Sequence, residues 1–157
     1  MKFVALMLVA ALAASPVAAA PPPEAPAGKI AITGNSFVVD DAKHQATFSG
    51  DVAVNHPQMK LTADQVVAFY GAAGASTITN FEATGHVKIV TSEQTATGEK
   101  AIFDPKTRIL TLTGNVLVSS ATGQVKAPQL LVDLKKKTSV FSTGKSGGRV
   151  TGVFSSE

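Results

Sequence analysis

The residues that could do chemistry in this chain are few and scattered. There are three histidines, His44, His56 and His86, and no cysteine. No two histidines stand at a His-x-His or His-x-x-x-His spacing that would bring both to one ion, so no metal site is expected. Without cysteine there is no thiolate nucleophile and no disulfide framework. Serines are numerous, but none sits in a nucleophile elbow. Lys135-Lys136-Lys137 is the one charge run. The chemistry that remains is apolar: stripes of Val, Ile, Leu and Phe at strand spacing, able to solvate alkyl groups.

Three pentapeptides organise those stripes: Gly50-Asp51-Val52-Ala53-Val54, Gly85-His86-Val87-Lys88-Ile89 and Gly114-Asn115-Val116-Leu117-Val118. Each Gly is followed fourteen residues later by a second mark, Asp64, Glu99 or Pro128. A repeat with a period of 29 to 35 residues predicts stacked units that bury their apolar faces only against neighbours. Counted from each Gly, positions −4, −2, +2 and +4 are Ala46, Phe48, Val52 and Val54, then Phe81, Ala83, Val87 and Ile89, then Leu110, Leu112, Val116 and Val118. All are apolar, and ten of the twelve odd positions between −3 and +3 are polar or charged. That alternation predicts strands with one face in and one face wet. A Gly at the centre of each strand, on the inward parity, predicts a corner at which the strand leaves one sheet and enters another. His86 then flanks a corner where the other copies carry Asp51 and Asn115. Asp64 and Glu99 occupy equivalent repeat positions, which a structural role explains better than paired-carboxylate catalysis.

The return strands begin at Leu61, Ala96 and Val125, with a second corner expected at Ala63-Asp64, Gly98-Glu99 and Ala127-Pro128. Beyond it Val66/Ala68, Ala101/Phe103 and Leu130/Val132 are expected to face inward. Val67, Ile102 and Leu131 blur the pattern and leave their own orientation open. Asn55-His56-Pro57-Gln58, Asp104-Pro105-Lys106-Thr107 and Thr122-Gly123 mark turns, and Gly71 to Ser76 a longer loop. A half-copy at Thr33 to Asp40 precedes the repeats, and a fading copy at Ser139 to Gly144 follows them. The prediction is an all-β body of eight long bent strands, hence about sixteen short ones in two antiparallel sheets folded into a V. At ~4.8 Å per strand it is roughly 35–40 Å long.

At the front, Lys2, the apolar run Phe3 to Ala14, Pro16 and the small residues Val17 to Ala20 read as a cleaved signal peptide over residues 1–19. Residues 20–28 form a Pro-rich tether and residues 29–154 the domain. The formal net charge of +3, reduced by one when Lys2 leaves, is too mild to argue for nucleic acid.

The Gly-x-Val-x-Val/Ile units after Phe48-Ser49, Ala83-Thr84 and Leu112-Thr113 make the chain similar to the periplasmic lipopolysaccharide-transport bridge family, the LptA/OstA-like group. Thr62-Ala63-Asp64, Ala101-x-Phe103-Asp104 and Arg149-Val150-Thr151-Gly152-Val153-Phe154 extend the likeness over about residues 29 to 154. The resemblance implies an open V-shaped β-jellyroll in the periplasm that binds lipid A acyl chains inside the V. It implies stacking end to end, between an inner-membrane-anchored protein and an outer-membrane OstA-like translocon. The cleavable front and the end of the chain after the repeats favour the soluble bridge over an anchored member. No catalysis and no cofactor are implied. The residues expected to line the lipid groove are Ile30, Ile32, Phe37, Val39, Phe48, Val52, Val54, Val66, Phe81, Val87, Ile89, Phe103, Leu110, Leu112, Val116, Val118, Leu130 and Val132. Lys135 to Lys137 read either as a solvated hairpin turn or as a rim contact for lipid A phosphates. Head-to-tail association is expected through the Ile30-Ala31-Ile32 and Val140-Phe141 edges, with Gly144 to Gly152 lying loosely over the second edge as a guard. The rival reading from another class is a structural β-repeat module with a closed core and no lipid. A periplasmic hydrolase is disfavoured by the empty inventory of catalytic groups.

Overall fold

A computed structural model describes residues 29–74, 77–145 and 147–155. The expected signal peptide and tether lie outside the described residues. The described residues form ten strands: β1 (Ala31–Thr33), β2 (Ser36–Asp40), β3 (Gln45–His56), β4 (Met59–Tyr70), β5 (Ile78–Val90), β6 (Gln94–Asp104), β7 (Ile109–Ser120), β8 (Gly123–Asp133), β9 (Thr138–Ser142) and β10 (Thr151–Phe154). All pairings are antiparallel between sequence neighbours from β3 to β8, and the sheet does not close. β1 and β2 pair with opposite halves of β3, so together they are one rung broken at Gly34-Asn35. β9 and β10 likewise pair with opposite halves of β8, separated by residues 143–150. The expected eight bent rungs are therefore present: six continuous and two broken. They form one hydrogen-bonded sheet creased along a line rather than two separate sheets.

The crease is where each repeat Gly stands. Register shifts fall between Ser49 and Val52, Thr84 and Val87, and Thr113 and Val116. Opposite them stand Asp64, Glu99 and Pro128, so two residues face one, as in a bulge. The Gly φ angles are +76, +77 and +83 at Gly50, Gly85 and Gly114, and the next residues follow at +46, +46 and +47. Two successive left-handed residues turn the strand sharply. Asp51, His86 and Asn115 are of the types that tolerate this conformation best after Gly. The polar second position of each pentapeptide is thus a backbone requirement. Asp64 Oδ2 lies 2.8 Å from His86 Nδ1, and Glu99 Oε1 accepts from Asn115 Nδ2 at 2.7 Å. These clasps give the second mark of the repeat its structural role.

The crease divides the sheet into two wings. One holds residues 31–33, 52–63, 87–98, 116–127 and 151–154; the other holds 36–49, 65–74, 77–84, 100–113 and 129–142. At the rim of the second wing the turns share a pattern. Asp40 Oδ1 accepts from the Lys43 amide, Asp104 Oδ1 from Lys106 and Thr107, and Asp133 Oδ1 from Lys135 and Lys136. Four residues after each Asp comes a left-handed residue: His44, Arg108 and Lys137, at φ of +52, +59 and +55. The lysine run is therefore built into a hairpin turn. The C-terminal segment differs from the expected guard. Residues 143–145 and 147–150 lie outside any strand, and Thr151 and Gly152 return to the edge as the start of β10. They pair with Lys126 and Val125, so β10 covers that half of β8.

Candidate functional site

The inner faces of the two wings meet in an apolar seam. Among the described residues, every buried side chain in the core is apolar, from Val52 near one end to Leu130 near the other. Ten of the expected groove residues are buried: Val52, Val66, Val87, Ile89, Phe103, Leu110, Leu112, Val116, Val118 and Leu130. Ile30, Ile32, Phe48, Val54, Phe81 and Val132 are half-buried and pack against them. Phe81 and Phe103 stack across β5 and β6 with ring centroids 6.4 Å apart. Two expected residues fall outside this cluster. Phe37 and Val39 pair with Phe48 and Ala46 on the inward parity but are 56% and 50% exposed. β2 is the outermost strand on that side among the described residues, so no further described rung covers them. Phe37 stacks at 4.4 Å on Phe48 and extends the apolar face out of the open end.

The core also takes in Met59, Leu61, Ala63, Ala68 and Tyr70 on β4, and Ala96 and Ala101 on β6. Alternation outward from Leu61 and Ala68 would have found Met59 and Tyr70. The blurred triplets resolve cleanly. Val66/Ala68, Ala101/Phe103 and Leu130/Val132 point inward, and Ile102 is turned out and exposed.

The ladders and turn hydrogen bonds lie within one wing or the other, and the His86 and Asn115 clasps lie on the crease. The seam itself is closed by side-chain packing. Two voids of about 30 Å³ each run along it. One is lined by Val54, Met59 and Leu61 from the first wing and Val66, Phe81 and Phe103 from the second. The other lies between Ile89 and Ala96 on one side and Leu130 and Val132 on the other. Each has room for a water molecule or two, far less than an alkyl chain fills. At the mouth His56 lines the first void. Burial holds its pKa below the ordinary histidine value, and the positive charge of Arg108 on the opposite rim lowers it further. Among the described residues no group of three or more His, Asp or Glu could hold a metal ion. No helix of the described residues is long and apolar enough to cross a membrane.

A sequence comparison places residues 31–138 in the LptA/(LptD N-terminal domain) LPS transport protein family. The chain belongs to that family. Membership makes it a transport protein rather than an enzyme. Among solved structures it matches the crystal structure of LptH, described as the LptA-homologous periplasmic component of the lipopolysaccharide transport device of Pseudomonas aeruginosa. The match has a TM-score of 0.69 at 17% identity and covers 82% of this chain and 96% of that one. At that identity it is the fold that is shared: the creased, open β-jellyroll. No curated protein matched in a separate sequence search.

Proposed function

We propose that this protein carries lipopolysaccharide across the periplasm by taking its acyl chains between the two wings. The observation that carries this reading is the seam: a continuous apolar face, free of buried polar side chains among the described residues. An alkyl chain entering it replaces side-chain contacts of the same kind, and no strand ladder has to break. Each methylene withdrawn from water contributes roughly 0.8 kcal/mol, so a few chains offset the opening without polar specificity. The wings part about the crease, whose left-handed Gly-x pairs leave the ladders on either side intact.

Transport over a distance needs copies or partners in series, and the two ends are suited to that. β2 presents Phe37, Val38 and Val39, each at least half exposed. The other end presents Val140 at 55% and Val153 and Phe154 at 69% and 66%. Open strand edges pair with other strands, and two unlike edges make a heterologous, propagating contact. In this reading the partners are further copies, and transport proteins of the same fold anchored in the inner and outer membranes. The protein is purified without detergent from cells that make lipopolysaccharide, then extracted and analysed for 3-hydroxy and saturated acyl chains by mass spectrometry. Acyl chains in stoichiometric amount support the reading. Their absence, together with failure of added lipopolysaccharide to bind, returns the protein to the class of closed β-repeat modules.

A further inference from the structure

A second concavity lies away from the seam, on the crease at the C-terminal end. Its volume is about 910 Å³, within the ~300–1,000 Å³ usual for small-molecule sites. The sequence builds it through Pro128. At that repeat position Pro has no N–H to give the next strand. The last rung departs there, and residues 143–145 and 147–150 lie over the crease before the chain rejoins β8 as β10. The walls come from β7 and β8, and Lys145, Gly147 and Arg149 form the roof. That roof lies beyond the residues that match the family.

Lys126 joins Lys145 and Arg149 in the lining, which contains no carboxylate. Lys43, Lys100 and Lys136 each hold an Asp or Glu. The side chains of Lys126, Lys145 and Arg149 hold none among the described residues. Glu99, across the crease from Asn115, is engaged by Asn115 Nδ2 at 2.7 Å. Three uncompensated cations around one concavity repel one another and attract a multivalent anion. The remaining polar lining, Thr113, Asn115 and Gln129, offers neutral donors and acceptors suited to hydroxyl groups. With no aromatic ring in the lining, there is no stacking platform for a nucleobase.

The geometry points to this cavity as a binding site for a phosphorylated saccharide, with Lys126, Lys145 and Arg149 on the phosphate and Thr113, Asn115 and Gln129 on the sugar. It does not rest on acyl chains entering the seam. A free sugar phosphate and the head of a phosphorylated glycolipid share this chemistry. Amide shifts in the full mature chain are followed by NMR during titration with glucose 6-phosphate, inorganic phosphate and glucose. Glucose 6-phosphate is expected to give saturable shifts around 113–116, 126–129 and 144–149, inorganic phosphate weaker ones, and glucose none. K145A/R149A should weaken binding by at least about tenfold, with an unchanged melting curve, while K135A/K137A should not. Lipopolysaccharide stripped of acyl chains by base then separates the sources: displacement of glucose 6-phosphate assigns the glycolipid head, and no displacement assigns the free sugar phosphate. No saturable shift at millimolar ligand, or equal weakening in the two double variants, overturns the site. Phosphate binding as tightly as glucose 6-phosphate overturns the saccharide.

Discussion

The crease gives a quantitative test at Gly85. A Cβ added there would stand 2.8 Å from Asp64 Cγ and 2.9 Å from Asp64 Cβ, in a residue held at φ +77. The first contact could move with the side chain, but the second is tied to the β4 backbone. Left-handed φ costs a non-glycine residue ~1–2 kcal/mol. Displacing a packed neighbour costs about 1–3 kcal/mol, and the stiffer unfolded chain returns ~0.4–1 kcal/mol. Gly85→Ala should therefore lose about 2–4 kcal/mol. Gly74 separates the two effects: it has φ +93 and nothing within 4 Å of an added Cβ. Gly74→Ala should lose about 1 kcal/mol or less by the strain and entropy figures alone. Gly71, with ordinary φ and its nearest contact at 3.8 Å, should be unaffected or slightly stabilised by Ala. Equilibrium urea unfolding followed by far-UV circular dichroism reads all three. Gly85→Ala no less stable than Gly74→Ala would refute the close-approach argument for the crease.

Leu112 is fully buried while Ile102 on the neighbouring strand is 38% exposed; Leu112→Ala should lose about 2–5 kcal/mol and Ile102→Ala far less, by the same urea assay. Burial, and after it the positive charge of Arg108, hold the folded-state pKa of His56 below 6.5. The unfolded chain takes up the proton first, so stability should fall as pH drops from 6.5 through the lowered value; melting temperatures of His56→Gln should fall less over that range. Asp40 and Asp104 act lower: hydrogen bonds from Lys43 and from the Thr107 amide depress their pKa below 3.8, so that stability is present above 3.8 and lost as pH falls through the depressed values. A charge on an open edge blocks pairing, so Val38→Lys and Val140→Lys should each shift sedimentation toward monomer at concentrations where the native chain associates; unchanged association would remove those edges from the contact.

Much of the fold was legible because period-two alternation and a regular Gly act on every rung alike. Phe48, Val52, Val54 and their equivalents could be aligned across copies, and the seam followed from them. The residue after each Gly was harder to place, since its polarity looked like simple exposure. Its left-handed backbone becomes visible only when Asp51, His86 and Asn115 are compared as types that tolerate positive φ. Phe37 and Val39 share the inward parity of the core, but parity says nothing of whether a further rung exists to cover them. The loop over Pro128 escaped notice because strand pairing of residues 151–154 with β8 is non-local. The cations it gathers, Lys126, Lys145 and Arg149, are far apart in sequence and form no run.

Site-specific photo-crosslinking tests the central claim most directly. A photoreactive residue replaces one inward side chain, Phe48, Val87 or Leu112, or one outward side chain, Thr47, Lys88 or Thr111, in cells making lipopolysaccharide. Crosslinked product is detected by immunoblot against both the protein and the glycolipid. Acyl chains held between the wings predict adducts at the inward positions and none at the outward ones. Equal labelling of both sets, or labelling of the outward set alone, would contradict transport through the seam.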